Sequence, residues 1–319
     1  MKNVWLLISL IFLFAIVGMS FIKDEQQKYN EVNLGKLLFN EKMLSADSTV
    51  SCASCHQPEN AFSDTLAISQ GIYGKFTSRN TPSVLNMKNR PYYFWDGRAV
   101  SLDEQALMPI QNPDEMGLSI KEAIERLKTS PFYNNYFRKV YKQDPNTKNL
   151  AEAFAAYEKT LETADSKLDK WGDNKAKLTE TEENGRQIFI GEKAKCFNCH
   201  LFEDFTNDEF KNIGLFNGKE LNDSGRYLIT KDKSDLGKFK TPGLRNIAVT
   251  APYMHNGMFA TLEEVVDYYN DTQKKIPNSI NTDTSLNKPL GLTDQEKKEL
   301  VAFLNTLTDK KFVKNQSNK

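Results

Sequence analysis

The sequence predicts an all-α protein made of two similar halves, and three observations carry that expectation. Apolar residues recur at helical spacing, as in Ile120, Ala123, Ile124, Leu127 and in Leu150, Phe154, Tyr157, Leu161, with no long alternating strand pattern in competition. Ser/Thr-x-x-Glu capping boxes mark helix starts at Ser101 with Glu104, Ser119 with Glu122, Thr261 with Glu264 and Thr293 with Glu296. A Cys-x-x-Cys-His pentad occurs twice, at Cys52 to His56 and at Cys196 to His200. Each copy is preceded by a Gly with a Phe one helical turn later, Gly35 and Phe39 in "LGKLLF", Gly185 and Phe189 in "NGRQIF".

The elements follow in chain order. Residues 1–23 open with Lys2 and continue as an uncharged run from Val4 to Ile22, the layout of a secretory signal. The run is also just long enough to cross a bilayer, and no clean Ala-x-Ala site follows it. A cleaved signal peptide and a retained N-terminal anchor both stay open, and either places the remaining chain outside the cytoplasm, in the periplasm. A length of 319 residues suits two domains of ordinary size. They are expected at 24–165 and 166–319, joined in the polar stretch from Thr163 to Gly185. In each, the small residue and the aromatic one turn apart suit close packing of a first helix against another. The charge is balanced, with 42 basic and 42 acidic residues and no basic block, which argues against a nucleic-acid partner. The last helix repeats the spacing at Leu300, Phe303, Leu304 and Leu307.

All four cysteines and two of the three histidines fall in the pentads. An exported chain with four cysteines ordinarily suggests disulfides, but Cys-x-x-Cys-His is the covalent haem attachment pattern. Two thiols add to the haem vinyl groups, and the adjacent imidazole reaches the iron. Zinc knuckles pair at much shorter separations, and a redox Cys-x-x-Cys needs no histidine after it. Two covalently bound haem c groups are therefore expected, one on Cys52, Cys55 and His56, the other on Cys196, Cys199 and His200. The fold class becomes two cytochrome c-like domains, each built around one haem.

Four further segments complete the pattern: "RNTPSVLN", "YFWDGRAVSLDEQALMPIQNPDEMG", "FKTPGLRNIAVTAPYMHNGMFATLEEVVDYYN" and "LGLTDQEKKELVAFLNTLT". With them the chain resembles the bacterial di-haem cytochrome c peroxidase family, including its MauG-type branch of protein-modifying oxidases, from Asn33 to Thr308. The resemblance implies a peroxidatic haem in the N-terminal domain and an electron-transferring haem in the C-terminal domain, with a calcium ion and a tryptophan between them. It puts the family's distal Gln, Pro and Glu on Gln105, Pro109 and Glu115. Glu115 would be the general acid–base, Gln105 would orient peroxide and Pro109 would shape the pocket. Without the resemblance, Glu115 reads as a turn residue of "NPDEMG" and Gln105 as part of a solvated first turn. Trp95 matches the tryptophan between the haems. Asn80, Thr250 and Pro252 match the calcium ligands, a hard-oxygen set that suits this ion.

Two positions depart from the common pattern. Many members carry a histidine in the loop after the first pentad, which caps the first iron until the second haem is reduced. Here no histidine lies between His56 and His200. The expectation is an open position opposite His56, with Met87 or a lysine as the substitute ligands. At the second haem, Tyr269 stands where many peroxidases have a methionine and the MauG-type branch has a tyrosine. Leu262, Val265, Val266 and Tyr269 share a helical face, which turns Tyr269 inward and Tyr268 elsewhere; Met254, Met258 and His255 are the alternatives. His255 also reads as a structural hydrogen-bonder near the haem propionates or the interdomain face. The function implied is reduction of hydrogen peroxide with electrons from a small cytochrome c or copper protein. A MauG-type oxidase acting on a partner protein and a non-catalytic electron carrier are the rivals. Against the former, Ala194 stands where that maturase has an aromatic hopping residue. A homodimer is common in the family.

Overall fold

The computed structural model describes residues 28–201 and 203–316; the expected signal or anchor at 1–23 lies outside them. The N-terminal half contains α1 (Glu31–Phe39), α2 (Cys52–Cys55), α3 (Leu102–Gln111), α4 (Ile120–Thr129), α5 (Pro131–Tyr141) and α6 (Thr147–Glu158). The C-terminal half contains α7 (Lys167–Gly172), α8 (Glu180–Ile190), α9 (Tyr227–Thr230), α10 (Leu262–Asn270), α11 (Thr272–Lys275), α12 (Asp294–Asn305) and α13 (Lys310–Gln316). Among the described residues the only sheet is a short antiparallel ribbon, β1 (Phe210–Lys211) with β2 (Phe239–Lys240).

The capping residues sit where the sequence puts them. The side chains of Ser101, Ser119, Thr261 and Thr293 accept from the backbone N–H three residues on, each satisfying a donor that the helix leaves free. The polar stretch from Thr163 to Gly185 is more structured than a junction. Ser166 with Asp169 and Thr179 with Glu182 form capping boxes that start α7 and α8, as Thr261 with Glu264 and Thr293 with Glu296 do for their helices. Glu104 instead accepts from Val100 N–H and Glu122 pairs with Arg126, so the boxes expected at Ser101 and Ser119 keep only their first bond. Leu168 anchors α7 in the second core, and Asp169 pairs with Arg245.

Each half is organised around one very close helix crossing. A Cβ placed on Gly35 of α1 would lie 1.9 Å from the Ala153 carbonyl oxygen of α6. A Cβ on Gly185 of α8 would lie 1.9 Å from the Glu299 carbonyl oxygen of α12. Only glycine permits either approach. One turn on, Phe39 meets Tyr157 with ring centroids 5.3 Å apart, and Phe189 meets Phe303 at 5.1 Å. Two apolar clusters form around these crossings, one from Leu34 to Leu161 and one from Leu168 to Leu307. Phe312 of α13 joins the first, so the last helix returns to the N-terminal half.

A second repeat places the segments in front of the haem motifs. Tyr93 bridges Ala99 just before α3, and Tyr253 bridges Phe259 just before α10. In both turns a non-glycine residue (Phe94, Met254) and a glycine (Gly97, Gly257) have positive φ. Val100 N–H donates to Glu104 and Ala260 N–H to Glu264. Position by position, Trp95 corresponds to His255, Gln105 to Val265 and Pro109 to Tyr269. Half-buried ion pairs tie the halves together: Arg79 reaches Asp96 and, with two nitrogens, Asp223, while Arg90 reaches Asp204 and Asp208.

Gly35→Ala or Gly185→Ala is expected to cost at least about 2 kcal/mol, because backbone must move to admit the methyl group. Gly172→Ala, whose Cβ meets nothing within 4 Å, is the control and should change stability by less than about 0.5 kcal/mol. Thermal unfolding followed by the helical circular-dichroism signal checks both.

Candidate active site

The two pentads are single helical turns. His56 N–H bonds to the Cys52 carbonyl and His200 N–H to the Cys196 carbonyl, each at 2.9 Å, which gathers two sulfurs and an imidazole on one short arc. The rings are oriented alike. His56 Nδ1 lies 3.2 Å from the Phe62 carbonyl oxygen, and His200 Nδ1 lies 2.8 Å from that of Phe205. A carbonyl only accepts, so Nδ1 carries the proton and Nε2 keeps its lone pair for a metal. Burial lowers both imidazole pKa values, which keeps the rings neutral. Phe62 and Phe205 both have positive φ, an unusual state for a bulky residue, and it is this backbone that turns each carbonyl toward its histidine.

The second pentad opens onto a large apolar cavity. Cys196, Cys199 and His200 form one wall, and Leu262, Val265, Val266 and Tyr269 of α10 face it from across. A neutral imidazole, two thiols and an apolar slot fit a covalently attached macrocycle with iron at its centre. Burial pushes the Tyr269 phenol well above its ordinary value, and the charges of Tyr268, Cys199 and Cys196 add to this. Such a phenol ionises only where a cation meets its oxygen. Tyr268 is directed away from the cavity, but into the interior: it is fully buried and donates its hydroxyl to the Ile213 carbonyl. Of the alternatives, Met254 also lines the cavity, whereas Met258 is 38% exposed and is not part of the lining. His255 is buried at the junction of the halves, stacked on Phe239 with centroids 3.7 Å apart. Burial pushes its pKa down to about 4.

Around the first pentad, Gln105 and Pro109 lie one turn apart on α3, and Glu115 follows in the turn beyond it. Glu115 Oε1 accepts from Asn112 Nδ2 at 2.7 Å, the turn role its sequence suggests. Its charge is felt at both Cys52 and Cys55. Burial raises its carboxyl above the usual range, against the lowering effects of Asn112 and Arg98. The segment is clasped by the loop that follows the first pentad. Ile72 N–H donates to the Glu115 carbonyl at 2.9 Å, and a Cβ on Gly71 would lie 2.1 Å from the Asp114 carbonyl oxygen. Lys75 Nζ closes the clasp on the Pro113 carbonyl at 3.0 Å. Met87 packs instead with Tyr93, Ala99, Leu102 and Ala155.

Between the halves, Trp95 Nε1 donates to the Asn80 carbonyl at 2.9 Å, and Asn80 N–H donates to the His255 carbonyl at 2.7 Å. Asn80 Nδ2 is held by the carbonyls of Leu66 and Ala67, which leaves Oδ1 as its free acceptor. Thr250 and Pro252 line the same cavity as Asn80 and Trp95. The Gly71–Ile72 clasp had no local signature in the sequence, since its partners are more than forty residues away (Ile72 with Glu115). Glu158 was also missed, although an acid one turn after Phe154 on a buried stripe was a visible signal.

Comparison with known proteins shows the family. Residues 29–177 match the family described as di-haem cytochrome c peroxidase. The methylamine utilization protein MauG of Methylorubrum extorquens is 38% identical over 281 residues, covering 87% of this chain and 78% of that protein. Cytochrome c551 peroxidase of Nitrosomonas europaea is 36% identical over 280 residues, covering 86% and 79%. A solved MauG-like protein associated with microbial copper homeostasis superposes with a TM-score of 0.77 at 34% identity, covering 88% of this chain and 92% of that one.

The raised Glu115 carboxyl yields a stability prediction. A group that binds its proton more tightly when folded costs stability as pH rises from its unfolded value, near 4.5, through its folded one. Glu115→Gln should therefore unfold at a higher temperature than the parent at pH 7, and the difference should vanish below pH 4. Thermal unfolding at the two pH values measures it.

Proposed function

Because the chain belongs to the di-haem cytochrome c peroxidase family, we propose that it reduces hydrogen peroxide to water at an iron held by His56. Electrons reach it by way of a second haem held by His200, from a small exported cytochrome c or copper protein. The observation that carries this reading is the pair Pro109 and Tyr269 at one repeated position. Proline offers no ligand atom, so Pro109 would leave a metal held by His56 accessible to peroxide. Tyrosine offers an oxygen, so Tyr269 would supply a ligand to a metal held by His200 and suit that site to electron transfer.

The haems, when bound, would supply redox-active iron, the chemistry that peroxide reduction and electron relay require. The protein manages the protons and the geometry. Glu115 takes the proton from the inner peroxide oxygen and returns it to the outer one, which departs as water. Asn112 fixes Oε1 and leaves Oε2 for this transfer. Gln105 orients the peroxide from the preceding turn of α3. Trp95, hydrogen-bonded to Asn80 at the junction of the halves, is the path between the two haems. Asn80 Oδ1 with the Thr250 and Pro252 carbonyls would hold a calcium ion beside that path. The leader at 1–23 would place the enzyme in the periplasm.

A MauG-type oxidase acting on a partner protein is the second reading, favoured by Tyr269 and by similarity to MauG. Ala194 speaks against it, being a buried residue with no aromatic ring to pass charge to a docked protein.

Peroxide consumption with a reduced small cytochrome c tests the choice: turnover supports the peroxidase, and its absence leaves the oxidase or a non-catalytic electron carrier. Glu115→Gln should lower kcat by about 10²–10⁴-fold with haem content unchanged. Tyr269→Phe should convert the second ferric haem from low-spin to high-spin, read by electron paramagnetic resonance; an unchanged spectrum would move the ligand to Met254 or His255, which also line the cavity.

A further inference from the structure

Glu158, the last residue of α6, is 5% exposed, and its buried Oε2 has no hydrogen-bond partner. The other buried side-chain atoms left without partners among the described residues are the hydroxyls of Tyr141 and Thr308. An orphaned carboxyl is the most costly of the three to ionise.

No cation pairs with it: Arg90, which like Glu158 acts on Tyr93, is engaged by Asp204 and Asp208. From α3 it faces Asp103, a second acid, whose charge acts on it. From the turn before α3 it faces Tyr93, whose hydroxyl is committed to the Met87 carbonyl at 3.0 Å. On its own helix it adjoins Tyr157, which packs on Phe39 and through it approaches the His56 ring, 6.3 Å from Phe39. From α1, Gly35 and Phe39 pack against α6, and from α4 the buried residues are Ala123, Ile124 and Leu127, all without charge. From the first pentad, Cys52 feels the Glu158 charge more strongly than that of Glu115. An acid therefore stands in the wall beside the first haem's attachment point, where a neutral side chain of the same size would cost less.

We propose that Glu158 is a redox-linked proton store for the haem bound at Cys52, Cys55 and His56. This rests on the haem assignment above but not on peroxide turnover. When that haem gives one electron to a one-electron acceptor, the Glu158 O–H bond breaks. The electron pair stays on the carboxylate and the proton leaves to solvent. Reduction reverses both transfers, so the buried site gains no net charge in either direction. Burial and then Asp103 push the Glu158 pKa up to about 8, so the carboxyl holds its proton at neutral pH when no positive charge stands beside it. The positive charge gained on oxidation favours the carboxylate and lowers that value.

The test is a spectroelectrochemical titration of the holoprotein between pH 6 and 9.5. In the parent, the first haem's potential should fall as pH rises and level off once the carboxyl is ionised in the reduced state as well. Glu158→Gln should abolish this dependence and leave the second haem's potential unmoved. Asp103→Asn, which removes the neighbouring charge, should move the levelling point to lower pH. A parent potential independent of pH, or a Glu158→Gln variant that keeps the parent slope, overturns the proposal. If Glu158→Gln fails to incorporate haem, an unmoved levelling point in Asp103→Asn overturns it. A Glu158-dependent slope in a protein that turns over no peroxide supports the proton store while removing the peroxidase reading, so the two fail separately.

Discussion

The close helix crossings at Gly35 and Gly185 are the constraint on which the rest of the structure is hung. Each lets two backbones meet where a single methyl group would prevent contact. Each thereby fixes the aromatic one turn later, Phe39 or Phe189. These rings pack at 6.3 Å against Phe62 and at 6.1 Å against Phe205. The carbonyls of Phe62 and Phe205 then hold the two histidine rings. A backbone approach thus decides which nitrogen of each imidazole is free to bind iron.

From this shared frame the halves diverge at single positions. The helix facing each pentad enters through the same turn and the same glutamate cap, yet offers Pro109 in one half and Tyr269 in the other. Similarly, Trp95 and His255 occupy corresponding places and meet through the two ends of one residue, Asn80. A division of labour between an open iron and a closed one needs no difference in fold, only in what these few side chains can donate.

Much of this was legible in the sequence because it depends on local chemistry. The four capped helix starts, two of them complete capping boxes, the glycine–phenylalanine pairs and the pentads each announce themselves within a few residues. The cavity-lining face of α10 follows from helical periodicity, and the packing of Tyr269 beside a buried Tyr268 qualifies it only in where the second ring goes. What stayed hidden depends on long-range contact. Ile72 reaches Glu115, Arg79 reaches Asp223, and Phe312 returns to the first core, and no spacing rule connects such pairs. The stretch from Thr163 to Gly185 was read as a polar junction because its charges dominate. Only the burial of Leu168 and the Asp169–Arg245 pair explain why a helix forms there. The repeat relating Trp95 to His255 was present in the letters, but its chemistry differs at every functional position, and the matching turns were needed to align it.

The account stands on an iron face left free opposite His56 while the face opposite His200 is filled. Electron paramagnetic resonance of the oxidised holoprotein, titrated with cyanide, addresses that directly. One high-spin and one low-spin ferric signal are expected, with a single equivalent of cyanide converting only the high-spin species. Two low-spin signals, neither altered by cyanide, would contradict it.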